Sequence, residues 1–300
     1  MNAKKLIRTV AAIALTLAVG PLARSAGAVT LSQVGGGVDI STSFNPAIRE
    51  VSGLGLAKKQ GNLWSITDSD CTVLKMNLDG SSAGRYPSQP SSCPSSLGTT
   101  DFEGITYAPP LPGITDDHYV YIANENGNSI VPFNYNTLQY GTPIPLSGMS
   151  GYNSSAVHCG DGNTVSQDFA NAGNSGLEGI TWDGSHFFVI KEKDPGLILE
   201  LSSDLTQILA CKTLSLTHAT DYSDIAYDST RGLFWIASDE AQYVYLYDWS
   251  TNSVVQGWHF TAANMANMEG IAFNPDNSRL YITTDNGLGA DSYMYTFSVQ

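Results

Sequence analysis

Apolar residues in this chain gather in short runs rather than at helical spacing. The runs "LWSIT" (63–67), "YVYIA" (119–123), "FFVIK" (187–191), "LFWIA" (233–237) and "LYITT" (280–284) are rich in aromatic and β-branched residues. That is the composition of buried strands. Turn signals precede four of them: Lys-Gln-Gly-Asn at 59–62, Pro-Pro-Leu-Pro-Gly at 109–113, Asp183-Gly184, and Asn274-Pro275-Asp276-Asn277. Before each turn lies another short strand that opens on one recurring phrase. Its five copies are Ser52-Gly53-Leu54, Glu103-Gly104-Ile105, Glu178-Gly179-Ile180, Ser223-Asp224-Ile225 and Glu269-Gly270-Ile271. Most copies run on into a third strand, as in "TVLKMNL", "SIVPFNY" and "YVYLYDW".

The copies begin 51, 75, 45 and 46 residues apart. A unit of about 45 residues with roughly four strands is a propeller blade, so the fold expected is an all-β propeller. Five copies argue for five blades. The 75-residue interval leaves six as the alternative, but its surplus "SGYNSSAVHCGDGNTVSQDFANAGNSG" reads as an inserted loop. That loop leads into an inner strand and should lie over the channel mouth as a lid pinned by Cys159. The last copy lacks a fourth strand. The N-terminal "AVTLSQVGGGVDISTSF" can supply it and close the ring, leaving no bare edge. Glycine in the phrase has a packing reason, because a small residue lets neighbouring inner strands close together around the axis.

The first 28 residues read as a secretory signal peptide: Lys4, Lys5 and Arg8, a short apolar stretch, then small residues ending at Ala28. Residues 29–300 are then one exported domain, periplasmic or secreted, expected to be a monomer with no membrane span. The full chain carries 14 Lys+Arg against 28 Asp+Glu, and the signal removes four of the bases and no acids. Such a surface repels nucleic acid and anionic lipid and favours cations. Four cysteines, Cys71, Cys93, Cys159 and Cys211, suit two disulfides in an oxidising compartment. Counting allows three pairings. Cys71–Cys93 with Cys159–Cys211 is the one that ties each long loop to a nearby repeat.

The acids of the repeat need a separate explanation. If each hairpin pairs evenly about its turn, Glu269 faces Asp285, Glu178 faces Glu192, Glu103 faces Glu125 and Ser52 faces Asp68. Asp221 then faces Asp239, beside Glu240, and Asp101 stands just ahead of Glu103. All five blades thereby push carboxylates toward one mouth of the ring. Like charges directly across a strand pair repel, so protons, bases or metal ions must offset them. Bases are scarce. A set of hard oxygen ligands without a contiguous loop motif fits calcium. The candidate ligands are therefore Asp101, Glu103, Glu125, Glu178, Glu192, Asp221, Asp239, Glu240, Glu269 and Asp285. The plainer alternative is that these acids only keep the blade rims solvated.

The phrases "EVSGL", "DFEGI", "GLEGITW…IKEKDP", "YSDIAYD…LFWIASDE" and "MEGIAF…LYITTDN" together resemble the SdiA-regulated family of exported bacterial propellers, from about Glu50 to the C-terminus. The chain also looks distantly like the phytase-type and esterase-like propellers. The resemblance implies a propeller whose acidic face holds calcium, with no firmly assigned reaction. Two functions follow as expectations. One is a binding module for a small ligand or an extracytoplasmic protein. The other is a calcium-dependent hydrolase of a phosphoester, ester or lactone, with Glu103, Glu178 or Glu269 as general base. The scarcity of Arg and Lys clamps counts against a phosphatase.

Overall fold

A computed structural model of the chain describes residues 28–57, 60–68, 70–87, 93–98, 100–170, 172–261, 265–285 and 291–300. The expected signal peptide lies outside them. The described residues form five antiparallel sheets arranged as the blades of a propeller. Blade 1 comprises Val51–Ala57, Asn62–Thr67, Val73–Met76 and Ser82–Tyr86. Blade 2 runs Phe102–Tyr107, Tyr119–Asn124 and Ser129–Asn134, with a broken outer strand at Gln139–Tyr140 and Ile144–Pro145. Blade 3 is Leu177–Trp182, Phe187–Lys191, Leu197–Leu201 and Ile208–Thr213. Blade 4 is Asp224–Asp228, Leu233–Ser238, Tyr243–Asp248 and Ser253–His259.

Blade 5 is a composite. Met268–Phe273, Arg279–Thr284 and Tyr293–Val299 come from the end of the chain. Its outer positions come from the start: Leu31–Gln33 and Val38–Asp39 both pair with Tyr293–Val299. The ring is closed by the N-terminal strand, as the missing fourth strand led us to expect. The 75-residue interval hides no sixth blade. Its surplus holds a single described helix, Val165–Phe169, opened by a capping box between Thr164 and Gln167. No helix of the described residues is long and apolar enough to cross a membrane.

Packing explains why the second strands read as unbroken apolar runs. Side chains alternate along a strand, and here both faces are covered by a neighbouring blade. Phe187 and Val189 pack toward blade 2, while Phe188 and Ile190 pack toward blade 4. Five apolar clusters of described residues fill the five blade-to-blade interfaces. Each fully buried Leu or Ile contributes about 1.5–3 kcal/mol to holding the ring together. Both disulfides, Cys71–Cys93 and Cys159–Cys211, take the pairing that ties long loops to nearby repeats. The second fastens the insertion to the outer strand of blade 3.

Candidate metal centre

The recurring phrase departs from even pairing at one step. In blade 3 Leu177 faces Lys191 and Gly179 faces Ile190, so Glu178 is an extra residue without a partner. In blade 5 Met268 faces Thr284 and Gly270 faces Thr283, leaving Glu269 extra. Blade 2 shifts between Phe102 and Ile105, across Glu103-Gly104, and blade 1 between Ser52 and Leu54, at Gly53. These are β-bulges, which bend a strand and re-aim a side chain. The cross-strand pairs expected from even turns are corrected accordingly. The amides of Glu125, Glu192 and Asp285 donate to the carbonyls of Asp101, Gly176 and Asn267, two positions ahead of the glutamates expected to face them.

Glycine follows the bulged glutamate because inner strands of adjacent blades touch there. A Cβ on Gly104 would stand 2.6 Å from the Glu178 carbonyl oxygen, and one on Gly179 would stand 2.7 Å from Asp224 Oδ1. Blade 4 has Asp224 where the others have glycine. Its carboxylate is fully buried at the axis and accepts from the amides of Ile225 (2.8 Å), Ile271 (2.8 Å) and Leu54 (3.2 Å). Burial holds its carboxyl well above the usual range, against the pull of those three amides.

On one side of this layer the channel opens into a polar cavity of about 210 Å³. Eight of the ten expected acids line it: Glu103, Glu125, Glu178, Glu192, Asp221, Asp239, Glu269 and Asp285. Asp68, Ser52, Ser223 and Asn174 complete the wall, and among the described residues no Lys or Arg lines it. Asp101 stands at the margin, grouped with Glu103 and Glu125 and holding the Asn126 amide at 2.9 Å. Glu240 does not join. Asp221 Oδ1 takes its backbone N–H at 3.1 Å, and the side chain turns out to Lys193 (3.1 Å) and Thr220 (2.7 Å). Asn174 and Gly176 end the insertion, and the Gly176 amide donates to Glu125 Oε1 at 2.9 Å. The insertion thus reaches the cavity from its disulfide anchor at Cys159.

Electrostatics makes the cavity costly when every acid is ionised. Two carboxylate triads, Asp101–Glu103–Glu125 and Glu125–Glu178–Glu192, each bring their oxygens within 4.8 Å of one another. Like charges at that separation repel by about 3 kcal/mol or more at an effective dielectric of 20. Burial first, then Glu103 and the neighbouring glutamates, pushes the Glu178 carboxyl well up. Burial and then Glu269 do the same to Glu103, and burial and then Asp239 to Glu269. Glu125 is raised to about 7 and Asp239 to about 6, in both cases chiefly by burial. Glu192 Oε2 is buried without a hydrogen-bond partner. A hard cation answers all of these demands, and the triads can hold one.

The sequence of residues 32–287 matches the family model described as SdiA-regulated. The chain belongs to the SdiA-regulated family. A search of curated proteins gives no match. Among solved structures it is similar to the PQQ-bound aldose sugar dehydrogenase of Streptomyces coelicolor, with 14% identity, TM-score 0.51, and 91% of this chain and 99% of that one covered. It is also similar to the glutaminyl cyclase of Myxococcus xanthus, with 14% identity, TM-score 0.57, and 90% and 97% covered. At such identities the likeness concerns the fold, and this family member's site has to be read from its own residues.

Proposed function

We propose that this family member is an exported calcium-binding propeller whose acid-rich mouth takes up a small oxygen-bearing ligand or a partner segment. One observation carries the reading: all five blades turn carboxyl or hydroxyl groups into a single cavity that no described lysine or arginine lines. Bound calcium supplies the missing positive charge and open coordination positions for a ligand's oxygens. The Gly176 amide holds Glu125 in place, Asp224 ties three blades together at the axis, and Asn174 of the insertion lines the cavity. The two disulfides are consistent with export.

The test is calorimetry of calcium binding to the chelator-treated protein, paired with thermal unfolding. Binding with a rise in melting temperature is expected, as linkage requires. The absence of both binding and a melting shift at millimolar calcium would refute the proposal. Hydrolysis of an ester, lactone or phosphoester is a second reading, favoured by Glu125 at about 7, where a carboxylate can take a proton from water. Chelator-sensitive turnover that Glu125→Gln abolishes would establish it.

A further inference from the structure

We infer that the opposite mouth of the channel is a binding site for an uncharged molecule built on a single aromatic ring. This goes beyond the cation-binding reading above and does not rest on it. The inner strands run from the acid-rich mouth past the Asp224 layer and end around a second cavity of about 190 Å³. Leu54, Ile225 and Ile271, whose amides Asp224 accepts, line its inner end. Three residues beyond the glycine or aspartate of the recurring phrase stand Leu56, Tyr107, Trp182, Tyr227 and Phe273. All five line the cavity, one from each blade.

Charge, shape and polar groups fix the class of ligand. Among the described residues no Asp, Glu, Lys, Arg or His lines this cavity, whereas carboxylates dominate the other mouth. An ion entering it would give up water and meet no counter-charge, so the ligand is neutral. Four aromatic rings surround the hollow without filling it. Trp182 stands edge-on to Phe187 at 4.8 Å, Tyr227 lies 5.2 Å from Phe234, and Phe273 lies 5.7 Å from Trp235. Those three partners are buried second-strand residues, so the cavity rings are held in place before any ligand arrives. A further ring entering among them makes edge or offset contacts of the same kind. An apolar cavity of about 150 Å³ takes one benzene, so this one takes a single ring with a small substituent. Thr181 Oγ1 accepts from the Tyr227 amide at 3.1 Å, which leaves its hydrogen to donate. Asn277 Nδ2 is committed to Asp228, Ser229 and Thr230 at 3.0–3.2 Å, so its carbonyl oxygen is what it can offer. One donor and one acceptor in an apolar wall suit one hydroxyl on the ring.

The experiment is calorimetry of the full chain with three probes of similar size: phenol, cyclohexanol, which lacks the π face, and benzoate, which adds a charge. Phenol should bind with a negative heat-capacity change and at least about tenfold more tightly than either of the others. Trp182→Ala should weaken phenol at least about fivefold. If that variant does not fold, Tyr107→Leu removes a ring while keeping apolar bulk and serves the same comparison. Chelator or saturating calcium should leave phenol affinity unchanged, because the cation site proposed above lies at the other mouth. Absence of phenol binding at millimolar concentration overturns the inference. So do equal affinities for phenol and cyclohexanol, preference for benzoate, and phenol binding that loss of a cavity ring leaves intact. A dimer that Trp182→Ala dissolves would assign this mouth to a second copy of the chain and overturn it too. Each of these failures leaves the cation-binding reading standing.

Discussion

Blade 3 and blade 4 start their inner strands at the same height of the channel with different chemistry. Blade 3 opens Leu177-Glu178-Gly179, bulges at the glutamate and sends that carboxylate into the cavity. Blade 4 opens Ser223-Asp224-Ile225 and pairs evenly from Asp224 opposite Ala237. Its carboxylate therefore stays one layer lower, at the axis, bound to amides of blades 1, 4 and 5. One acid is a ligand candidate and the other is a tie between blades. A one-residue irregularity in the backbone separates the two roles.

Removing the tie should have the largest effect. Asp224→Ala leaves three buried amides without acceptors, at about 1–3 kcal/mol each. We expect a loss of about 3 kcal/mol or more in denaturant unfolding, with or without calcium. Restoring a side chain to the glycine layer comes next. Gly104→Ala forces a Cβ against the Glu178 carbonyl and should cost about 1–3 kcal/mol. Gly36→Ala, with nothing within 4 Å, should be close to neutral.

The comparison also predicts a dependence on pH. Unfolded Asp and Glu release protons near their ordinary values of about 3.9 and 4.3, while folded Asp239 holds its proton to about 6 and Glu125 to about 7. The folded state therefore binds more protons between about pH 4 and 7. The stabilisation from these groups is complete below about 4 and is lost as pH rises through 7. The calcium-free protein should lose on the order of 4 kcal/mol between pH 5 and 8, and saturating calcium should flatten the profile. A flat calcium-free profile would mean that these carboxylates are compensated without a cation.

Glu178→Gln should act in opposite directions on stability and affinity. Removing one like charge should stabilise the calcium-free ring by about 1 kcal/mol, while calcium affinity falls at least about tenfold. An Asp224→Asn variant should show no such opposition. The smallest effect is expected for Glu240→Gln, whose carboxylate lies outside the cavity on exposed contacts. It should stay within about 0.5 kcal/mol.

The blade count, the composite fifth blade and the gathering of acids at one mouth were legible because each follows from repeat spacing and strand alternation, whereas the disulfide pairing was one of three that counting allowed. The register at the glutamates was not legible. Even pairing about a turn is the simplest assumption, and nothing in Glu-Gly distinguishes a bulged glycine from one selected for close packing. Asp224 was hidden by alignment. Against four glycines it looks like wear in the repeat, and only the three converging amides show that it occupies the space the glycines leave. Glu240 was misplaced because Asp221 caps the amides of Asp239 and Glu240 together and turns the second side chain outward. Asn174 lay within the insertion, where only the loop's destination, and no residue of it, could be read.

The pairing of Leu31 with Val299 sets an order of events. A chain made from its N-terminus holds that first strand unpartnered while four blades and most of a fifth are completed, and contacts of such span form late. Glu269 and Asp285 belong to the last blade, so the cavity wall is whole only when that blade packs against blade 1. On the proposed function, the complete cation site is thus a property of the finished ring. A chain that stops before blade 5 lacks two of the carboxylates that line the finished cavity.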